Sequence, residues 1–457
     1  MQINNLDRYE DHQKYYELYT KNNTKLNEII QNIISKYNFE YVPSKYYRLD
    51  STNIITRNIY EISGIIFMLN AIIEKTFYGF CIKTGIKYAC EKMYCSNNPD
   101  TKYIHYVYHF NCLNDEFIIA FSWEYFSPVL IYYPKTNCVY NISYRYSNVN
   151  ISFLKNINYD ITYYPKHNYT SYIIGLCGNA GHYFWQEIHG LMLLFEYNLI
   201  DNIDEFIIYK FDYLNIASIL KNKFNKKIKH IMSKNESHNL TVNITKHYIS
   251  NSSVEKFKTV YNLTNSIKLS QKNINIMFDI RSNSRVWLNQ IPIIINIING
   301  LKHKYDKYNI TFYISGFYKH NQKLLSSSYN VNKEVQRQNL IFDFIQSKVN
   351  FRVFNLINVK LPDIINFCQS VDLCISNLGS GIGFYYSTIF NKPTIGFTNT
   401  KNSFLFNSQR YAFENKLNNY TNIHPSNITD IEDDFRLKNG VLFNSVIKKL
   451  DDILSKI

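Results

Sequence analysis

Three short constellations in this 457-residue chain carry residue types suited to chemistry on a phosphorylated ligand. In the first, the apolar run Leu373–Ile375 leads into Ser376-Asn377-Leu378-Gly379-Ser380-Gly381, and a helix-like segment follows at once. Small residues let a backbone come close to an anion, and the free N–H groups and dipole of a helix N-terminus attract one. No Lys-Ser/Thr follows the last glycine, so the turn is not a P-loop, and G-x-G-x-x-G is absent. A tight strand–helix connection is the plainer reading, although it needs fewer small residues.

The second constellation is the loop from Asp279 to Gln290, with Arg281, Arg285 and Trp287 inside it. Two arginines at the end of a strand suit bidentate recognition of phosphate oxygens. Trp287 and Gln290 stand where a base or sugar would be met. The competing reading pairs Arg281 with a carboxylate and places Trp287 in the core. The third runs from Gly178 through His182 and Glu187 to Gly190. His182 falls at a helix N-terminus beside a glycine turn, a suitable place for a general base because imidazole titrates near neutral pH. A structural histidine capping the turn fits the same pattern. Glu187 and His189 lie further along and cannot both share a face with His182. HExxH is absent, which argues against a zincin.

The elements that must carry these residues fall into three parts. Residues 1–166 open with helical patterns (Tyr15–Tyr37, Ile54–Thr76). Alternating aromatic segments follow at Tyr103–Phe110, Glu116–Tyr133 and Val139–Phe153, and together they predict an accessory α+β module with an antiparallel meander. In residues 167–270 strands alternate with helices: strand Ser171–Cys177, helix His182–Asn198, strand Glu205–Tyr209, helix Leu214–Asn222, strand Lys227–Met232. Residues 271–457 repeat that rhythm, with strands Asn275–Ile280, Ile310–Ser315, Phe351–Leu356 and Thr394–Phe397 and a last amphipathic helix Val441–Ile457. Such alternation predicts βαβ units and parallel sheets, so the fold class is α/β with two Rossmann-like domains.

Composition narrows the alternatives. A hydrophobic content of 46% excludes global disorder. The N-terminal residues lack an apolar stretch, so no secretory leader is expected. Ile54–Ile73 carries Arg57, Glu61 and Asn70 and reads as a buried helix instead of a membrane span. The eight cysteines form no CxxC pair, which points to reduced thiols and away from a metal cluster. A net charge of +14 without a long basic tail reads as a lysine-rich solvated face, with attraction to an anionic membrane surface ahead of nucleic acid, which is not an expected partner.

From about Asn168 onward the arrangement resembles the GT-B glycosyltransferases, whose two Rossmann-like domains face each other. The resemblance is carried by Ser376–Phe384, by Lys392-Pro393-Thr394-Ile395-Gly396, and by the Asp279–Gln290 loop. It implies a C-terminal domain that holds a nucleotide-sugar. Ser376, Asn377, Gly379, Ser380 and Gly381 would meet the diphosphate together with Arg281 and Arg285. The paired-glutamate motif of the retaining branch is missing, with Ser387 and Asn391 in that stretch, which implies an inverting single displacement. His182 is the first candidate base and Glu187 the second. No DxD stands in a suitable loop, since Asp433-Asp434 and Asp451-Asp452 lie in the C-terminal tail, so metal-independent transfer is implied. The nucleotide-sugar is then a co-substrate and no further cofactor is expected. The acceptor is a glycan, a lipid-linked molecule or a protein, as in bacterial surface-polysaccharide assembly, in the cytoplasm and peripheral to the inner membrane face. Other readings stay open: a GT-B-shaped sugar epimerase, a pyruvyl or phosphosugar transferase, or a basic binding protein without catalysis.

Overall fold

Runs of Ile, Val, Phe and Tyr between asparagine-rich turns become the strands, as their β-branched and aromatic character favours. The computed structural model describes residues 2–5, 17–19, 21, 23–36, 64–95, 106–112, 115–121, 128–141, 162–163, 168–176, 180–231, 240–244, 249–263, 273–283, 285–319, 331–378, 382–402 and 419–455. Two compact units emerge, one of Met1–Asp212 with Ile216–Lys256, the other of Tyr213–Asn215 with Phe257–Ile457.

In the first unit, strands β1 (Gln2–Asn5), β2 (Tyr78–Phe80), β3 (Lys87–Ala89), β4 (Lys92–Cys95), β5 (Tyr106–Cys112), β6 (Asp115–Phe121), β7 (Pro128–Tyr133), β8 (Cys138–Asn141) and β9 (Thr162–Tyr163) precede a parallel sheet. Of these, seven form one sheet in the order β1-β8-β7-β6-β5-β4-β9, and β2 pairs with β3. The expected meander is present as β4 to β8, with β1 added in parallel against β8. The parallel sheet holds β10 (Thr170–Ile174), β11 (Glu205–Ile208), β12 (Lys227–His230) and β13 (Leu240–Val242), in the order β12-β11-β10-β13. All five residues of β10 are buried, as a strand covered on both faces requires. The strands of residues 2–163 and this sheet fall within the one compact unit. Lys75 Nζ pairs with Asp204 at 2.9 Å, Asn202 Nδ2 donates to the Ile72 carbonyl at 3.2 Å, and Tyr108 Oη donates to the Thr241 carbonyl at 3.4 Å.

In the second unit, β14 (Asn273–Asp279), β15 (Asn309–Ser315), β16 (Val353–Asn355), β17 (Leu373–Asn377), β18 (Thr394–Phe397) and β19 (Tyr420–Asn422) form one wholly parallel sheet. Its order is β16-β15-β14-β17-β18-β19, which in chain sequence is 3-2-1-4-5-6. That is the doubly wound order, with its topological switch between β14 and β17. The hairpin β20 (Ile428–Ile431) and β21 (Asp434–Leu437) follows. The core lies between the sheet and the helices Gln290–Lys304 and Val441–Leu454, where Ile294, Ile297, Ile298, Leu301, Leu442, Val446 and Leu450 are buried.

Asparagine does local work in this chain. Among the described residues, eight of the eleven non-glycine residues with positive φ are asparagines, whose short amide tolerates the left-handed region. Asn391, at φ 48°, therefore ends the helix Ile382–Phe390 one residue before the Lys392-Pro393 stop expected from sequence. Among the described residues no helix is long and apolar enough to cross a membrane.

At the amino end of β17, Asp372 Oδ2 accepts the Asn275 N–H at 2.8 Å, while the Asp372 N–H donates to the Asn275 carbonyl at 2.8 Å. Burial raises this carboxyl to about 6, against the opposing pull of the Asn275 N–H and the Lys392 charge. Between pH 4 and 6 the folded chain keeps a proton that the unfolded chain has released, so this group adds stability as pH falls. The contribution is full below about pH 4 and gone above about pH 7. Asp372→Asn is thus expected to gain on the wild type as pH rises from 4 to 7.5, by roughly 1–3 kcal/mol in paired denaturation curves. A difference that stays constant with pH contradicts this.

Candidate functional site

In a doubly wound sheet, ligands bind outside the carboxyl ends of the strands at the switch point. Here that edge is polar. Ser315, Asp279, Ser376 and Gly396 form one register row across β15, β14, β17 and β18. Ser376 Oγ donates to Asp279 Oδ2 at 2.8 Å, tying β17 to β14 across the switch. The helix Ile382–Phe390 sits hard on this row: a Cβ on Gly383 would fall 2.4 Å from Ser376 Cβ. Ser315 Oγ, Asn377 Oδ1 and Thr398 Oγ1 are buried at these strand ends and have no hydrogen-bond partner among the described residues.

The arginine loop leaves β14 at this edge and is held through its backbone. Gln290 Oε1 accepts the Arg281 N–H at 3.3 Å, and Gln290 Nε2 donates to the Arg281 carbonyl at 2.9 Å. Asn377 Nδ2 donates to the Arg285 carbonyl at 2.5 Å. Arg285 itself takes φ 52°, a left-handed conformation that costs a non-glycine residue on the order of 1 kcal/mol. The hairpin completes the anchorage. Val286 N–H donates to Asp434 Oδ1 at 2.6 Å, Phe435 N–H to the Val286 carbonyl at 3.0 Å, and Leu288 N–H to the Phe435 carbonyl at 2.9 Å.

What this anchorage leaves over is charge. Both arginines are part-exposed, and neither guanidinium has a hydrogen-bond or ion-pair partner among the described residues. Burial and then the neighbouring Arg281 charge bring Arg285 down to about 10. A carboxylate does stand nearby on the same unit but is committed elsewhere. Glu334 accepts from Ser282 Oγ at 2.8 Å and from Arg337 Nη1 at 2.8 Å. Two like charges without a carboxylate partner leave a positive potential at this edge of the sheet.

The sequence-predicted residues divide accordingly. Arg281 and Arg285 lie on one loop, where the charge of the first lowers the second. Ser376 and Asn377 border the site, but the Ser376 hydroxyl and the Asn377 amide nitrogen are engaged in holding Asp279 and Arg285. Gln290 is the clamp on Arg281 instead of a sugar contact. Trp287 is 2% exposed and packs edge-on against Phe397, with ring centroids 4.8 Å apart, so it is a core residue and not a base platform. Gly379, Ser380 and Gly381 lie outside the described residues. Asp434, expected in the tail, belongs to the hairpin of β20 and β21, whose strands are four residues each.

On the first unit, the expected helix His182–Asn198 is three segments: Ala180–His182, a π-helical turn Tyr183–Ile188, and His189–Glu196. Glu187 on the wide turn is fully buried, and its Oε2 accepts the N–H groups of Gly175 at 2.6 Å and Leu176 at 3.2 Å. A carboxylate bound this way caps the end of β10, so Glu187 is not the second candidate base. The backbone of His182 is helical; its side chain lies outside the described residues.

No protein-family model matches the chain. No curated protein matches it either. Solved structures do match at the level of shape. A UDP-N-acetylglucosamine 2-epimerase structure from Listeria monocytogenes aligns over 62% of this chain and 88% of its own, with 8% identity and a TM-score of 0.30. The E. coli heptosyltransferase with ADP aligns over 62% and 73%, with 11% identity and a TM-score of 0.27. The Methanocaldococcus jannaschii UDP-GlcNAc 2-epimerase in complex with UDP-GlcNAc and UDP aligns over 62% and 92%, with 10% identity and a TM-score of 0.25. At such scores the overlap is loose and bears no weight for the site.

If the loop is built to present unpaired charge, the arginines do not hold the fold. Arg285→Met, which keeps the apolar stem, is expected to leave the melting temperature unchanged or raised. Gln290→Leu strands the buried Arg281 backbone and should cost about 1–3 kcal/mol. Equal losses in the two variants by thermal denaturation would count against this division of roles.

Proposed function

We propose that the second unit binds the diphosphate of a nucleotide-sugar at the β14/β17 switch point, and that the chain is an inverting, metal-independent glycosyltransferase of the GT-B kind. The observation that carries the reading is the pair of unpartnered guanidinium groups on a backbone-clamped loop at that point. A diphosphate offers two adjacent anionic groups, and planar guanidinium forks recognise such oxygens bidentately. The small-residue turn Gly379-Ser380-Gly381 is assigned the other side of the diphosphate, with N–H groups at the start of the helix Ile382–Phe390 as donors.

In the proposed reaction His182 takes the proton of an acceptor hydroxyl. The acceptor oxygen attacks the anomeric carbon as the bond to the diphosphate oxygen breaks, and that oxygen keeps the electron pair. Arg281 and Arg285 stabilise the charge that develops on the leaving group, the largest electrostatic demand of the step. The acceptor is proposed to be a glycan, a lipid-linked molecule or a protein, with peripheral attraction to anionic membrane surfaces through the net charge of +14.

A panel of UDP-, GDP-, CMP- and ADP-sugars separates this reading from its rivals. At least one is expected to raise the melting temperature, and with that donor His182→Ala keeps the shift but loses transfer. A panel without any shift overturns donor binding, and full transfer by His182→Ala overturns the base assignment. Interconversion of the donor without an acceptor would instead identify an epimerase.

A further inference from the structure

The helix Val331–Lys348 has two faces of opposite character. Its inner face is buried and holds the helix to the sheet and to the arginine loop. Gln338 Oε1 accepts the Phe317 N–H at 2.7 Å, Glu334 Oε2 accepts from Ser282 Oγ at 2.8 Å, and Ile345 lies in the core of the unit. Towards its carboxyl end, Gln346 Nε2 donates to the Phe351 carbonyl at 2.9 Å and Gln346 Oε1 accepts the Val353 N–H at 2.8 Å. Asn355 Nδ2, on the edge strand β16, donates to Asn339 Oδ1 at 2.9 Å. The helix is thus fixed at both ends, and its outer face is presented rigidly.

That outer face exposes apolar surface. Leu340 is 69% exposed, the most of any large apolar side chain among the described residues, and Phe344, one turn later, is 49% exposed. Residues three and four apart share a helix face, so Lys333, Arg337, Leu340, Phe344 and Lys348 form one outward stripe. All three cations of the stripe are exposed. Lys348 Nζ stands 5.5 Å from the centroid of the Phe344 ring, and Arg337 Nη1 pairs with Glu334 at 2.8 Å while its side chain stays half-exposed. Asp343, at the margin of the stripe, is the exposed carboxylate of this helix. A single exposed leucine is ordinary, but two large apolar side chains one turn apart within a basic border are the makings of an interfacial helix.

We propose that this face docks on an anionic phospholipid surface, with Leu340 and Phe344 entering the headgroup boundary while Lys333, Arg337 and Lys348 meet lipid phosphates. The charges select the occupant. A second copy of the chain seated on the same face would bring the cations of both copies together, with Asp343 alone to offset them. Nucleic acid would engage the cations but would leave the exposed Leu340 nothing apolar to bury against. A charged lipid surface meets both demands, since its acyl boundary takes the apolar side chains and its headgroups supply the anions. The face gives a definite site to the peripheral attraction proposed above; it rests on that part of the reading and is independent of the diphosphate site.

Flotation of the full chain with phosphatidylcholine vesicles, with and without phosphatidylglycerol, tests this in the absence of any nucleotide. Wild-type protein is expected to float with the anionic vesicles and not with the neutral ones, and less of it as salt rises. Leu340→Gln/Phe344→Gln should lower the bound fraction at least about fivefold at an unchanged melting temperature, since neither side chain is buried. Lys348→Gln leaves the apolar pair in place and should weaken binding at low salt, so it serves where the double variant fails to fold. No flotation of the wild type, equal binding to neutral and anionic vesicles, or equal flotation of the wild type and both variants would overturn the proposal. A wild-type dimer in light scattering that the double variant loses would also overturn it, and would give the face to a second copy. Since no nucleotide is present, failure of docking and failure of donor binding are read separately.

Discussion

Arg281 and Arg285 repel each other at the carboxyl end of a parallel strand, and the surrounding structure is arranged to withstand that repulsion without neutralising it. The clamps are neutral or act on backbone atoms. Gln290 grips the Arg281 peptide, Asn377 grips the Arg285 carbonyl, and Asp434 accepts the Val286 N–H. Glu334, on the helix beside the loop, is bound to Ser282 and Arg337. Paired salt bridges would have stabilised the loop and filled the site at once. Neutral clamps separate the two tasks, so the positive charge remains available to a ligand.

The same economy recurs where carboxylates are buried. Glu187 binds the N–H groups at the end of β10, and Asp372 binds the Asn275 N–H at the start of β17. Each offsets part of its desolvation cost by satisfying a backbone group that a strand end leaves open. Asp279 differs in being held by a side chain, Ser376, so it joins the two strands that flank the topological switch. Because that switch lies between strands whose connections diverge, this serine–aspartate bridge fixes the floor on which the arginine loop rests.

Much of this fold was legible in the sequence because parallel strands are buried on both faces. Leu373–Ile375, Ile310–Ser315 and Thr394–Phe397 read as strands from apolarity and flanking turns alone, and Thr394–Phe397 matches its observed bounds. The arginine pair was legible for the same reason, since its loop follows such a strand. Roles decided by tertiary neighbours were not. Nothing local distinguishes a tryptophan beneath a base from one packed on Phe397, or a glutamate that accepts a proton from one that caps a strand. The π-helical turn escaped because Tyr183–Ile188 has the periodicity of an ordinary helix and no local residue marks the widening. The short strands of the C-terminal hairpin lacked the length to announce themselves, so the anchoring role of Asp434 went unread.

The central claim is that two unpaired guanidinium groups form a diphosphate site, and calorimetric titration with nucleoside diphosphates tests it most directly. Wild-type protein is expected to bind at least one of them with an affinity that falls as salt rises, and Arg281→Met/Arg285→Met should bind it at least about tenfold more weakly while melting at the same temperature. Equal affinity in the wild type and the double variant, or no binding to either, would contradict the account.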